Sequence, residues 1–439
     1  MLEFKEDLLQ FIWRYKLLKP VPLITVSGKE ISILKAGELN RDSGPDFFNA
    51  QIKINDIILA GNVEIHLKTS DWLKHGHGED KNYDTIILHA VYENDITLKQ
   101  NSDHNVEVLE LRKHIDTATI LNYQNLFSNR DTLPCSKHLA KVDDLKLISW
   151  LERMTIERME EKVSRLQVWF DLSKGDYTQT FYISLLRNFG FKINSEPFEL
   201  LAKQLPVQLL LKHADNLLQL EALLLGTSGL LENQFQNKYI QTLQNEFEYL
   251  RSKYGLCPIQ TEIFKFSKLR PANFPTLRLA QLANIVHRHR TLFAHPHSLI
   301  SYSELEDVLS VNMDGYWKNH YKMDGSLSDK DLKLGKDSIE NIIVNTFAPF
   351  LFFYSKKTGK AEYLDLAIAL LNQCTFENNS KTKLFATKKR VLKSAANSQA
   401  IINLYDNYCC LKKCLHCGVA ASFLMPNKKD LFQFTNGRS

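Results

Sequence analysis

The sequence lacks a long hydrophobic run. Its most apolar stretch, residues 342–354, includes Asn345 and Pro349 and falls short of the roughly 20 residues that cross a bilayer. A buried helix is expected there, and no membrane partner. The chain also shows no secretory leader: residues 1–15 carry Glu3, Lys5, Glu6 and Asp7 and read as a short amphipathic helix. No sign of charge dominates. A formal net charge of +5 over 439 residues permits DNA or RNA as a partner without requiring either. There is no His-Glu-x-x-His, no nucleophile elbow, no Walker loop and no Gly-x-Gly-x-x-Gly, so zincin, elbow-hydrolase and nucleotide-cofactor chemistry have no motif behind them. Internal repeats and low-complexity tracts are absent as well. Cysteine is sparse and odd in number, with seven residues at 135, 257, 374, 409, 410, 414 and 417. That usage reads as reduced thiols in a cytoplasm, not as a disulfide framework.

What is present is ordinary in bulk and uneven in detail. Hydrophobic residues make up 44% and charged residues 24%, the balance of a globular protein, and this length favours two domains. The first part reads as strands. Residues 23–26 and 31–34 flank Ser27-Gly28-Lys29 as a hairpin, and 48–54, 57–67, 85–92 and 106–111 follow. Beyond residue 115 helical spacing takes over. Asp143 and Asp144 can cap a helix carrying Ile148, Leu151, Met159, Val163, Leu166 and Phe170, and Gly190 and Gly255 stop two more. The expectation is an α+β chain. A strand-rich domain spans 1–120 and a linker with Cys135 spans 121–142. A larger all-α domain over 143–425 ends in a cysteine knuckle, and a polar tail covers 426–439.

Potential ligands concentrate between Gly44 and His89, where four of the 14 histidines fall. On a strand over 62–68, alternation sends Val63, Ile65 and Leu67 to a core and Glu64, His66 and Lys68 to the other face. The strand can return as a hairpin beside Asp46 and bring that acid to Glu64, and His89 on a later strand can join the same face. A carboxylate and an imidazole so placed can share a divalent cation or act as base and orienter. Asp46, Glu64, His66, Lys68 and His89 are therefore the catalytic candidates, and Asp46, Glu64, His75 and His77 the metal candidates. Basic residues offer phosphate contacts at Arg270 and Arg278, before a helix, and at Lys388, Lys389 and Arg390, on an expected basic helix over 381–393.

Near the end, Cys414-x-x-Cys417 is a metal knuckle, and Cys409 or Cys410 supplies a third thiolate. The fourth is Cys135 or His416, and zinc and an iron–sulfur cluster both suit such a set. Isolated Cys257 and Cys374 read as core.

Pro45-Asp46 at a strand start, then Glu64-Ile65-His66 on the next strand, resembles the PD-(D/E)xK nuclease superfamily. The resemblance covers about 60 residues and implies a restriction-endonuclease-like mixed sheet. It also implies an acidic pair holding Mg²⁺ or Mn²⁺ and a lysine supporting the attacking water. Here His66 stands in the lysine's place, with Lys68 two residues on. The superfamily's helix-borne first acid falls at Glu38 or earlier. The run from Trp72 to His77 resembles the tryptophan–histidine segment of very-short-patch-repair endonucleases. Some superfamily members pin their chain with an iron–sulfur cluster on one distant and three C-terminal cysteines, a layout that Cys135 with Cys409, Cys414 and Cys417 is similar to.

Over nearly its full length the chain resembles the bacterial domain-of-unknown-function family 2851. The matching features are Gly44-Pro45-Asp46-Phe47, Gly61-Asn62-Val63-Glu64-Ile65-His66, Asp71-Trp72, His75-Gly76-His77, Leu88-His89, Pro134-Cys135, the 270–275 segment, Asn345, Pro349 and the knuckle. That resemblance implies shared architecture and no activity. The expected function is a metal-dependent nuclease or phosphodiester hydrolase. The alternative is a non-catalytic binding or scaffold protein with a structural zinc or iron–sulfur site.

Overall fold

The computed structural model describes residues 4–40, 42–77, 80–98, 106–128, 131–298, 301–325, 327 and 332–424. It divides into two units. The first comprises Met1–Trp150, Leu384–Lys388 and Leu404–Ser439, and the second Leu151–Lys383 and Lys389–Asn403.

The first unit is built on a mixed sheet of seven strands among the described residues: β1 (Leu23–Ile24), β2 (Glu30–Lys35), β3 (Glu38–Leu39), β4 (Phe47–Ile54), β5 (Ile57–Lys68), β6 (Ile86–Glu93) and β7 (Glu107–Glu110). The order is β1-β2-β4-β5-β6-β7, with β3 paired to β4 off that path. The expected hairpin forms β1 and β2, and the turn at Asn55-Asp56 returns β4 into β5, antiparallel, with Phe47 opposite Val63. β5 then pairs in parallel with β6, and β6 with β7. Helix α1 (Glu6–Arg14) packs against β5 and buries Leu8, Leu9, Phe11, Ile12 and Trp13. The short α2 (Asp71–Lys74) follows β5 directly.

Much of the described part of the expected linker, 121–142, is helical. α3 (Thr117–Ser128) and α4 (Ser136–Leu139) occupy the described part. The boundary falls later, at residue 150, inside α5 (Asp144–Leu172), whose first turn is capped by Asp143 accepting from the Lys146 N–H at 3.1 Å. A further difference concerns the C-terminus. The chain returns to the first unit at Leu404, so the cysteine knuckle belongs to the strand-bearing unit rather than ending the helical one. The expected tail over 426–439 lies outside the described residues.

The second unit is helical with its own core. Tyr177–Phe189, Leu217–Thr227, Lys238–Tyr254, Pro275–Arg288 and Ala348–Thr358 contribute many of its buried residues, among them Phe181, Phe189, Leu223, Phe247, Ile285 and Phe350. The apolar run at 342–354 lies in this core, and no helix among the described residues is long and apolar enough to cross a membrane. The basic stretch 381–393 is not one helix. It forms the short turns Ser380–Lys383 and Ala386–Lys388. Cys374 is buried as expected, but Cys257 is exposed.

Candidate metal centre

The hairpin β4–β5 fixes two carboxylates against each other. The Asp46 N–H donates to Glu64 Oε2 at 3.0 Å, and Asp46 Oδ2 accepts the Ile65 N–H at 3.0 Å. Each acid thus satisfies a backbone donor beside the other, which locks the pair in register. Asp46 Oδ1 accepts from Gln10 Nε2 on α1 at 2.8 Å. One turn before Gln10, on the same side of that helix, stands Glu6, whose charge acts on both Asp46 and Glu64. Glu6 thus adds a third carboxylate to the pair from a position earlier than Glu38. Glu38 itself lies on β3, exposed, beside Lys35. Nothing in the short polar N-terminal turn distinguishes Glu6 from a solvated helix residue. The one sequence signal is the i, i+4 spacing of Glu6 and Gln10 on the helix that covers β5.

Three imidazoles face these acids. His66 on β5, and His75 and His77 in the turn after α2, bring one ring nitrogen each within 4.8 Å of one another. His66 Nε2 lies 3.1 Å from His75 Nδ1 and 3.5 Å from Glu64 Oε1. His77 Nε2 lies 3.3 Å from the same Glu64 oxygen, yet it is buried without a hydrogen-bond partner. His89 on β6 stands beside Glu64 in the parallel register, and its Nε2 contacts His66 Nδ1 at 2.9 Å. His66 is thereby held with Nε2 toward the acids. Trp72 and Tyr83 frame the pocket. Tyr83 stacks on His77 with ring centroids 3.9 Å apart, and Trp72 packs against His77 and His89.

The electrostatics push the acids and the imidazoles in opposite directions. Burial, then the charge of Asp46, pushes Glu64 up to about 8. Burial, then Asp46, lifts Glu6 to about 7. Burial lifts Asp46 to about 6, against the pull of its two hydrogen bonds. The imidazoles move the other way. Burial, then the neighbouring rings, lowers His66 to about 4 and His89 to about 3, and lowers His77 as well. Like groups crowded together disfavour their charged forms, and a cation among them reverses that penalty. With an orphaned buried nitrogen beside paired carboxylates, the donor set fits a divalent ion that takes both oxygen and imidazole.

The remaining candidates lie elsewhere. Lys68 is exposed at the end of β5 and lines a neighbouring cleft of about 950 Å³ together with Lys5, Arg112, Lys412, Phe4 and Tyr92. Lys388 is buried in the first unit, where its Nζ donates to the Val142 carbonyl and to Asp144 Oδ1. Arg270, Arg278, Lys389 and Arg390 belong to the second unit. Of these, Arg278 is buried, donates to Asn273, Gln281 and Ser338, and lies over the Phe191 ring. Arg270, Lys389 and Arg390 are exposed. Cys135, Cys409, Cys414 and Cys417 are all buried in the first unit.

Fold and site define an α+β protein with a carboxylate–imidazole cluster at the meeting of a hairpin and a parallel strand pair. The chain belongs to the family of proteins of unknown function designated DUF2851, whose model matches residues 6–380. No curated protein and no solved structure matches it. The family match takes in the whole cluster from Glu6 to His89 and ends before Cys409, Cys414 and Cys417, which the sequence resemblance had included.

Proposed function

We propose that this protein is a metal-dependent phosphodiester hydrolase acting on nucleic acid. The observation that carries the reading is the convergence of Glu6, Asp46 and Glu64 with His66, His75 and His77. The order resembles the PD-(D/E)xK pattern, with an acid on a covering helix, an acid opening a hairpin, and an acid two residues before a base on the returning strand. A histidine takes the lysine's place. Asp46, Glu64, His75 and His77 would hold the cation, and Glu6 adds negative charge beside them. Imidazole donors favour Mn²⁺ over Mg²⁺, which keeps to oxygen and water. A bound divalent ion would neutralise phosphate charge and acidify a water.

The chain's own residues do the rest. His66 presents a neutral Nε2 beside Glu64, able to take a proton from the attacking water. His89 positions that ring through Nδ1. The cleft beside the site has Lys5, Lys68 and Lys412 for backbone phosphates and Phe4 and Tyr92 for bases, with Asp7 and Glu93 also on its wall and Arg112 paired to Glu93, a mix of cation and aromatic that suits single-stranded nucleic acid.

The test is cleavage of single- and double-stranded DNA and of RNA by the purified protein with Mn²⁺, Mg²⁺ or Zn²⁺. We expect Mn²⁺-dependent cleavage, and a loss of about 10²-fold or more in Glu64→Gln with an unchanged circular dichroism spectrum. A wild-type protein inert with all three ions, or a Glu64→Gln variant as active as wild type, would overturn the assignment.

A further inference from the structure

We propose that Cys135, Cys409, Cys414 and Cys417 form an iron–sulfur cluster site that clasps the two ends of the first unit together. The proposal stands independently of the hydrolase reading and settles the two choices the sequence leaves open: which thiols act, and what they hold.

The ligand set comes from how the chain winds. The helix Ala395–Leu404 widens into a π-turn over Tyr405–Cys409, which adds a residue to the turn and shifts the side chains that follow it. Cys409 then points inward, 9% exposed, while Cys410 is exposed and its Sγ donates to the Asp406 carbonyl. Lys412 adopts a left-handed backbone with φ of 52°. That reversal returns the chain into the 3₁₀ turn Cys414–His416 and brings Cys414 and Cys417 to the same interior, 7% and 6% exposed. Cys135 meets them from the turn before α4 at 8% exposure, and its sulfur feels the charge of Cys417 and Cys414. Cys409 feels all three of the others.

The two segments are held in place by packing. Phe423 stacks on His138 and its carbonyl accepts from Asn122 on α3, while Gly418 lies so close to Trp150 that a Cβ there would sit 2.5 Å from the indole. Cys135 is therefore brought to the knuckle by the fold, not by chance approach of a loop.

The spacing of the sulfurs selects the occupant. A tetrahedral zinc with Zn–S bonds of about 2.3 Å draws its four thiolates to about 3.8 Å from one another. Among the described residues, no three of these sulfurs lie within 4.8 Å of one another, although three histidine nitrogens in the same unit do. The thiols are thus gathered and mutually felt, yet spread too widely for one ion. In an iron–sulfur cluster the four cysteines are divided among two or four irons, with sulfide filling the middle, and so do not all crowd one ion. All seven cysteines are free thiols, so no disulfide competes for the set. The backbone N–H groups of Val419 and Ala420 face the Cys417 sulfur, the kind of donor that tunes cluster potential. The Cys409–Cys414 loop also has a second face, for Leu411 and Lys412 line the cleft beside the metal centre. A cluster would fix that wall.

The experiment is metal and acid-labile sulfide analysis of the full chain purified without oxygen, with an absorption spectrum and electron paramagnetic resonance after dithionite reduction. Iron and sulfide in equal amounts, about two or four of each per chain with broad absorption near about 400 nm, is the expected result. Cys417→Ser should lose the iron. Cys410→Ala and Cys374→Ala should keep it, which separates ligand loss from general damage even if the Cys417 variant folds poorly. About one zinc per chain, or protein free of both metals, would overturn the proposal. Loss of iron in Cys410→Ala equal to that in Cys417→Ser would overturn the ligand set.

Discussion

Glu221 is as buried as Glu64, at 1% exposure against 5%, but it is answered by donors rather than by other acids. The Tyr239 hydroxyl donates to it at 2.7 Å and the Trp317 indole N–H at 2.9 Å. Burial still pushes it from 4.5 up to about 7. Between those values the folded chain keeps a proton that the unfolded chain has released. Its contribution to stability is therefore greatest below pH 4.5 and falls as pH rises toward 7. At about 1.4 kcal/mol per unit the loss is on the order of 3 kcal/mol. Glu221→Gln keeps an acceptor for both donors and cannot ionise. Denaturant titrations at pH 5 and pH 8 should show the wild-type helical unit losing on the order of 3 kcal/mol more than the variant. Parallel losses would show that Glu221 does not carry the slope. Glu64, Asp46 and Glu6 differ in kind. They crowd one another and stand among imidazoles, two of which, His77 and His89, keep a buried ring nitrogen without a hydrogen-bond partner.

Among the elements, β5 decides the site, and Gly61 decides β5. The strand pairs antiparallel to β4 from Ile57 to Val63 and parallel to β6 from Asn62 to Lys68, so the two pairings overlap just after Gly61. A Cβ on Gly61 would meet Ile87 Cγ2 at 2.4 Å and the Thr85 carbonyl at 2.7 Å, so only glycine lets β6 come this close. Asn62 ties the junction, accepting from the Asn49 N–H and donating to Thr85 Oγ1. Gly61→Ala should cost about 1–3 kcal/mol by overpacking. A fall in Tm of a few degrees per kcal/mol, together with weaker Mn²⁺-induced stabilisation, is the expected outcome in a thermal scan. An unchanged Tm would mean that β6 relaxes freely.

The same strand shows how far the sequence carries. Alternation and turn residues locate β4, β5 and β6 within a residue or two, and the hairpin that joins Asp46 to Glu64 follows from Asn55-Asp56. Sending Glu64 and His66 to the face opposite Val63 and Ile65 is equally legible. What periodicity does not reveal is that both faces are covered there, because Val63, Glu64, Ile65 and His66 are all buried. The cover is α1, whose polar first turn reads as solvent-facing and whose Glu6 joins the site through the tertiary fold alone. Likewise, no local pattern shows that α3 and α4 form and meet a segment from the far end of the chain.

At the scale of the whole molecule, the first unit is discontinuous. The chain leaves it at Trp150, builds the helical unit, returns briefly at Leu384–Lys388 and comes back for good at Leu404. Its last elements are integral to its packing: Phe423 meets His138 and α3, Gly418 meets Trp150, and the turn Cys414–His416 packs on α1, the helix that carries Glu6. The packing around α1 and α3 is therefore incomplete until the end of the chain is in place, whereas the helical unit closes with Asn403. Truncation after Asn403 removes nothing from the helical unit but strips the first unit of three of its four clustered thiols and the cover over α3. Hydrogen exchange followed by mass spectrometry should then show lost protection in α1, α3 and the β5–β6 pair, with the helices between residues 177 and 373 protected as in the full chain. Retained protection of β5 and β6 in the truncated protein would mean that the N-terminal residues fold without their C-terminal partners. The clasp through Cys135 would then be an addition to an already finished unit rather than its closing element.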